Sequence, residues 1–399
     1  MRPSSPAVCA VLLAAALGAA PRRAAAAQES TAAVQALGAL YDLDYGRALS
    51  LMGAAAAAHP DEALYPLFDA GVLWWWASGE PGLFESSAPL AGRFRGDLAA
   101  VRALTGPRLE DPDPRRRADA LFAAGLAEGI EAQDLLQSGR WFKAYLAGRR
   151  GRKLLLRCLE TDPGYYDADL GIGIYDYLAA HLPGVLKIGA LLFVRGDAAG
   201  GLERLRLAAR HGRYAFAATQ AASNLVSIDL LYQSDPAEAL QALAPLLAAY
   251  PDSPYFRFVQ VVALYEAGRW EESRSRAFAL WELSRRDPAA FAPKRVSTLC
   301  GLDAARCFSK PALSAAAAWL TRAIDDPAPA PEAWRLCCRV YRGAAYELLG
   351  RRDAAKADFD AVASSASGSA QERAFAARCR DAACRAGDVE AFLRGEHAG

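Results

Sequence analysis

A small residue followed twelve positions later by a proline recurs along this chain, at Ala48–Pro60, Gly151–Pro163, Ala239–Pro251 and Ala315–Pro327. Four residues after the small one stands a large apolar side chain, Met52, Leu155, Leu243 or Trp319. Three further on come Ala55, Cys158 and Leu246, with Arg322 as the exception. The small residue lets two helices approach closely, and the large one fills the space between neighbouring pairs. The proline, lacking an N–H, stops one helix and starts the next. Between these markers Ala, Leu, Arg and Glu dominate, apolar positions recur at spacings of three and four, and alternating β-branched runs are missing. A sequence under this rule folds as a ladder of helical hairpins. With 53% hydrophobic and 23% charged residues it has the material for a packed core and is not globally disordered.

Both halves of one hairpin are visible after Pro331. Gly343, Tyr346, Gly350, Ala355, Phe359 and Val362 follow the pattern G-x-x-Y, a Gly turn, then A-x-x-x-F-x-x-A/V. From Ala239 to Ser273 the step is 34 residues, with its turn at Gly268 and Ala277 in the slot for the large residue. Gly201, with Leu205 and Ala208, marks another second helix. These features resemble the tetratricopeptide-repeat superfamily over residues 32–395. The fold expected is all-α, an α-solenoid of about seven or eight tetratricopeptide-like hairpins, ending in a helix near 370–385. Residues 28–399 are expected as one solenoid, with insertions at 77–114 and 180–197. The long gap between Ala48 and Gly151 is expected to hold an extra hairpin, 115–160 paired with 63–76. Leu170-Gly171-Ile172-Gly173, Leu182-Pro183, Lys187, Phe193, Gly196-Asp197 and Gly201-Leu202 with Leu205 resemble the inclusion-body-clearance family and its bacterial relatives. That resemblance implies the fold and a scaffold role.

Residues 1–27 read as a signal peptide. Arg2 precedes an apolar run from Ala7 to Ala20, and Ala25 and Ala27 suit cleavage before Gln28, with cleavage after Ala20 as the alternative. The apolar segment 185–194 is too short for a later span, since about 20 residues are needed. A periplasmic or secreted protein is therefore expected. Losing Arg2, Arg22 and Arg23 takes the formal net charge from +1 to about −2, which gives no electrostatic reason to expect nucleic acid. Of eight cysteines, six lie in the last third: Cys300, Cys307, Cys337, Cys338, Cys379 and Cys384. A bridge between the Cys300/Cys307 and Cys337/Cys338 hairpins is one expectation; cysteine as a small packing residue is the other. No C-x-x-C occurs and no histidine lies near them in sequence, so no metal site is expected.

The search for chemistry is spare. His59 and His211 sit at helix ends where a cation is favoured, His397 lies in the tail, and His181 stands at the mouth of an insertion. No G-x-S-x-G, H-E-x-x-H, phosphate loop or calcium loop is present, and no cofactor is expected. Asp167, Asp169 and Asp176 share a segment with Tyr165, Tyr166, Tyr175 and Tyr177; Asp169 and Asp176, seven apart, are the only pair suggesting glycan chemistry. Trp74, Trp75 and Trp76 point about 100° apart on a helix, so they form either a buried wedge or an aromatic platform for a ligand. Arg140, Lys143, Arg149, Arg150, Arg152, Lys153 and Arg157 form a basic stretch, part solvated face and part available to an acidic partner. By register, groove residues would include Asp167, Tyr177, Tyr255, Tyr265 and Glu347. The function expected is an exported protein–protein interaction scaffold of the bacterial envelope rather than an enzyme. The alternatives are an all-helical glycan enzyme and a lipid or small-molecule carrier.

Overall fold

The computed structural model describes residues 31–79, 83–181, 196–286, 293–327 and 332–395. The expectations for the leader, for most of the second insertion with Leu182-Pro183, Lys187 and Phe193, for Pro331 and for His397 fall outside them. The described residues are helical, with no strand among them, and the chain divides into two compact units.

The first unit comprises the described residues up to 233, with 241–253. It contains α1 (Thr31–Tyr41), α2 (Tyr45–Ala58), α3 (Leu64–Gly79), the short α4 (Leu83–Ser86), α5 (Ala88–Thr105), α6 (Pro114–Gln137), α7 (Trp141–Thr161), α8 (Ala168–Ala180), α9 (Ala198–His211) and α10 (Ala215–Ile228). The division falls within α11 (Pro236–Ala249). The second unit continues through α12 (Pro254–Glu266), α13 (Trp270–Arg286), α14 (Pro293–Arg306), α15 (Lys310–Asp325), α16 (Glu332–Leu348), α17 (Arg352–Ala363), α18 (Ala370–Asp381) and α19 (Ala386–Leu393).

In the first unit α1 packs on α2, α3 on α5, α6 on α7 and α8 on α9. Most of the 77–114 insertion is thus regular helix. It supplies α5, whose buried Phe94, Leu98 and Val101 make it the partner of α3. The expected pairing of 63–76 with 115–160 gives way to two hairpins, 64–105 and 114–161. Helix starts follow their side chains. Asp44, Asp113 and Asp197 accept backbone N–H groups of the first turn, and Pro114 occupies the position that needs no donor. Gly139, Gly268 and Gly350 turn three hairpins with φ of +70°, +70° and +72°, where any side chain is strained.

The predicted small positions are packing contacts. A Cβ built on Gly151 would lie 2.7 Å from the carbonyl oxygen of Gly125 on the facing helix. Gly173 and Gly201 oppose each other in the same way, each 2.8 Å from the other's carbonyl. Ala48, Ala239, Ser273 and Ala355 are fully buried, as are Met52, Leu243 and Phe359 from the large slot. In α15 the register is shifted by one residue. Ala316, Leu320 and Ala323 are the buried set, and Leu320 packs over Gly301. Trp319 and Arg322 instead join Trp281 in a ring and cation stack, with rings 4.7 Å apart and the guanidinium 5.0 Å from the Trp281 ring. The one-residue shift removes the Arg322 exception.

The first unit closes on itself. Ser253 Oγ donates to the carbonyl of Tyr41 at 2.8 Å, and the Tyr41 and Tyr250 rings lie 5.0 Å apart. Helix α1 also touches α10. In the second unit the cysteine expectation is corrected. The disulfide joins Cys379 and Cys384, while Cys300, Cys307, Cys337 and Cys338 remain thiols. Cys158 behaves as a small packing residue, its Sγ donating to the Ala118 carbonyl at 3.4 Å. No described helix is long and apolar enough to cross a membrane.

The glycine contacts set opposite expectations for two alanine substitutions. Gly151→Ala forces a methyl into the Gly125 backbone and should destabilise the protein by about 1–3 kcal/mol. Gly96→Ala, in α5 with open space around it, should stabilise by up to about 1 kcal/mol. Chemical denaturation of the two variants checks both signs.

Candidate functional site

The first unit holds an apolar cavity of about 760 Å³, within the roughly 300–1,000 Å³ range of small-ligand sites. Helices α3, α6, α7, α8 and α10 wall it. Leu67, Phe68 and Trp74 come from α3, Leu126 and Ile130 from α6, Leu155 from α7, Ile174 and Leu178 from α8, and Phe216 from α10. Gly125, Gly151 and Gly171 also line it, so the contacts that bring the helices together keep the wall free of side chains. Trp141 and Phe142 at the start of α7 mark its mouth, 47% and 74% exposed. Among the described residues Arg149 and Arg152 are its only charged lining residues, and no carboxylate lines it.

Around this cavity several buried acids are held by arginines of neighbouring helices. Asp69 takes both ends of Arg93 at 2.6 and 2.8 Å. Glu128 is bonded by Arg102 and Arg150. Asp176 takes Arg152 at 2.7 and 3.1 Å, and Asp169 takes Arg204. A buried carboxylate hydrogen-bonded to a guanidinium is satisfied, so these pairs fix helix orientation. The Asp169/Asp176 pair considered for glycan chemistry is consumed in this way. Asp69 and Asp97 do form a carboxyl pair, in which burial and the bond to Asp69 push Asp97 up to about 8, but neither lines the cavity. His181 donates from Nδ1 to the Tyr177 carbonyl at 2.8 Å and stacks on the Tyr177 ring. Among the described residues no group of three or more His, Cys, Asp or Glu is set to hold a metal ion.

The residues expected in a common groove fall in both units. Asp167 is fully buried and accepts the backbone N–H groups of Arg213 and Tyr214, each at 2.9 Å, pinning the start of α8 to the start of α10. Tyr177 is buried against His181 and Tyr232. In the second unit Tyr255 is half-buried with its ring edge on Phe256. Tyr265 is buried beneath the Arg306 guanidinium, 3.8 Å from the ring centre. Glu347 bonds Arg352 and accepts the N–H of Cys384. Four of the five are therefore structural braces. The three tryptophans point three ways: Trp74 into the cavity wall, Trp75 edge-on against Tyr41 at 5.9 Å, and Trp76 stacked on Tyr45 at 5.1 Å. Of the basic stretch, Arg150, Arg152 and Arg157 are ion-paired, while Arg149 has no ion pair among the described residues.

Sequence reasoning missed the cavity itself. Its signal was the density of glycine in 125–173 at helix-facing positions, together with the unpaired apolar Trp141-Phe142 opening α7.

No protein-family model matches the chain, and no curated protein matches it. Solved structures similar to it include the tetratricopeptide domain of P58(IPK), at 14% identity over 88% of this chain and 96% of that one, with a TM-score of 0.24. Yeast Tom70 is similar at 12% identity over 88% of each chain, also with a TM-score of 0.24. The tetratricopeptide-like character described here rests on the chain's own hairpins: the glycine turns, the small positions and the Gly343-to-Val362 pattern.

One buried acid in the second unit sets a pH dependence. Asp303 is fully buried, with Oδ2 3.0 Å from Ser273 Oγ and Oδ1 without a partner among the described residues. Burial pushes its carboxyl from 3.8 up to about 8, against the pull of Ser273, Arg306 and Arg274. Between those values the unfolded chain is ionised while the folded one holds its proton, so stability is full below about pH 4 and is lost as pH rises towards 8. Asp303→Asn, which mimics the protonated acid, should remove that decline and melt higher than the parent above pH 8. Parallel melting profiles for the two would contradict it.

Proposed function

We propose that this chain is a non-catalytic binding scaffold exported to the bacterial envelope, and that its recognition element is the apolar cavity of the first unit. The observation that carries the reading is the cavity's chemistry: a wall of Leu, Ile, Phe, Trp and Gly with aromatic side chains exposed at its mouth. Such a wall gains by burying apolar surface from a partner. Among the described residues its wall holds no carboxylate and no histidine, and the nearby carboxylates Glu128, Asp169 and Asp176 are held by arginines. A protein partner would lay apolar side chains there, in the manner of a helix entering a groove.

A second reading, carriage of a lipid or small molecule, is supported by the scarcity of hydrogen-bonding side chains in the wall. Export is supported by the leader-like sequence of residues 1–27 and by the Cys379–Cys384 disulfide, which suits an oxidising compartment.

The test is a photo-crosslinking residue at Phe142, activated in intact bacterial cells, followed by fractionation and identification of what is attached. Discrete protein adducts in the envelope fraction, on a chain beginning at Gln28, are the expected result. Adducts confined to the cytoplasm would remove the export claim. Absence of any protein adduct would remove the protein-scaffold claim.

A further inference from the structure

We infer that the cavity of the first unit takes the single apolar chain of an anionic amphiphile, with Arg149 receiving the charged head. This rests on the cavity being the recognition element and on the second reading of it, carriage, and specifies what is carried.

Three observations converge. The interior is apolar and of small-ligand size, so its occupant gains by desolvation along its whole length. An extended peptide would bring an N–H and a C=O at every residue. Each would need a partner that the wall, with few polar side chains beyond Gln133, Gln220 and two tyrosines, does not supply. A methylene chain brings no such groups.

The second observation is the charge of the lining. Among the described residues both charged members of the lining are arginines and none is a carboxylate. Arg152 is already neutralised by Asp176, through two bonds at 2.7 and 3.1 Å. Arg149 is exposed and has no ion pair among the described residues, so one positive charge is left over at the edge of an apolar cavity. That complements a carboxylate or another single anionic head, and is indifferent to a neutral one.

The third is the arrangement along α7. Phe142, Tyr145 and Arg149 recur at spacings of three and four, which places them on one helix face, with Phe142 and Arg149 about 10 Å apart along the axis. The lining therefore runs from exposed aromatics to an unpaired guanidinium on a single rigid element. A head group held by Arg149 leaves its chain free to lie on the apolar wall beneath.

The cavity also provides a clean blocking variant. Gly129 lies in the lining within α6, and a Cβ built there meets nothing within 4 Å. Gly129→Leu fills the space with a better helix former and leaves the helix contacts as they are.

The experiment is isothermal titration of the full chain with oleate and, separately, with oleyl alcohol, both below the concentrations at which they self-associate. Oleate should bind at one site. Arg149→Gln should weaken it by about ten-fold or more while leaving oleyl alcohol unchanged. Gly129→Leu should abolish binding of both without lowering the melting temperature. If it does lower it, the Arg149→Gln comparison decides alone. Equal affinity for the acid and the alcohol, no effect of Arg149→Gln, or no binding of oleate would each overturn the inference. An apolar helical peptide that binds where oleate does not would also overturn it. Failure here with protein adducts captured through Phe142 leaves the scaffold reading standing; oleate binding without any such adduct supports the inference and removes the protein-scaffold claim.

Discussion

The first unit depends on backbone meeting backbone. Where Gly125 faces Gly151, and Gly173 faces Gly201, two helices approach so closely that a single methyl would strike a carbonyl oxygen. With the axes drawn together, Leu155 reaches over Gly125 and Gly171, and Arg152 reaches Asp176 on the next helix. The same absence of side chains that permits the approach hollows the inner wall. Close packing and an open cavity have one cause here, which is unusual because tight contacts normally consume space.

The charged residues play a second, directional part. Apolar contacts between helices rich in Ala and Leu are permissive about rotation, whereas a two-pronged arginine–carboxylate pair is not. Arg93–Asp69, Arg152–Asp176 and Arg342–Asp358 each join neighbouring helices. Replacing such pairs with apolar residues need not cost stability, so their contribution is to orientation; in the first unit they set which face of each helix the cavity meets. It also explains why so acid-rich a segment as 162–176 presents no free acid to a substrate.

Much of the fold was legible from residue spacing. The recurring small residue, the large apolar residue four later and the glycine turns at Gly268 and Gly350 are local features, and outside α15 they fall where the pattern put them. The register shift in α15 was not legible, because Ala315, Ala316 and Ala317 are equivalent to any pattern; only Gly301 on the facing helix selects Ala316 and Leu320. Helix α5 was hidden by Pro81, Pro89 and the surrounding glycines, though Pro89 simply occupies a helix's first turn. The site was least legible. Asp167, Tyr177, Tyr265 and Glu347 are the residue types that recognise partners, but the same types brace helices, and burial decides between the roles. The cavity is defined by what its walls lack, and an absence spread over five helices leaves little trace in any one of them.

The bond from Ser253 to the Tyr41 carbonyl spans 212 residues of sequence. An ordinary helical repeat array behaves as a row of dominoes: terminal repeats loosen first, and units can be removed from an end with a graded loss. A row whose first member leans on its last has no free end to loosen. Fraying of α1 would expose Tyr41, Trp75 and Tyr250 together, and loss of the Ser253 segment would do the same from the other side. The first unit is therefore indivisible in a way that repeat proteins seldom are, and the cavity walled by five of its helices inherits that all-or-none character.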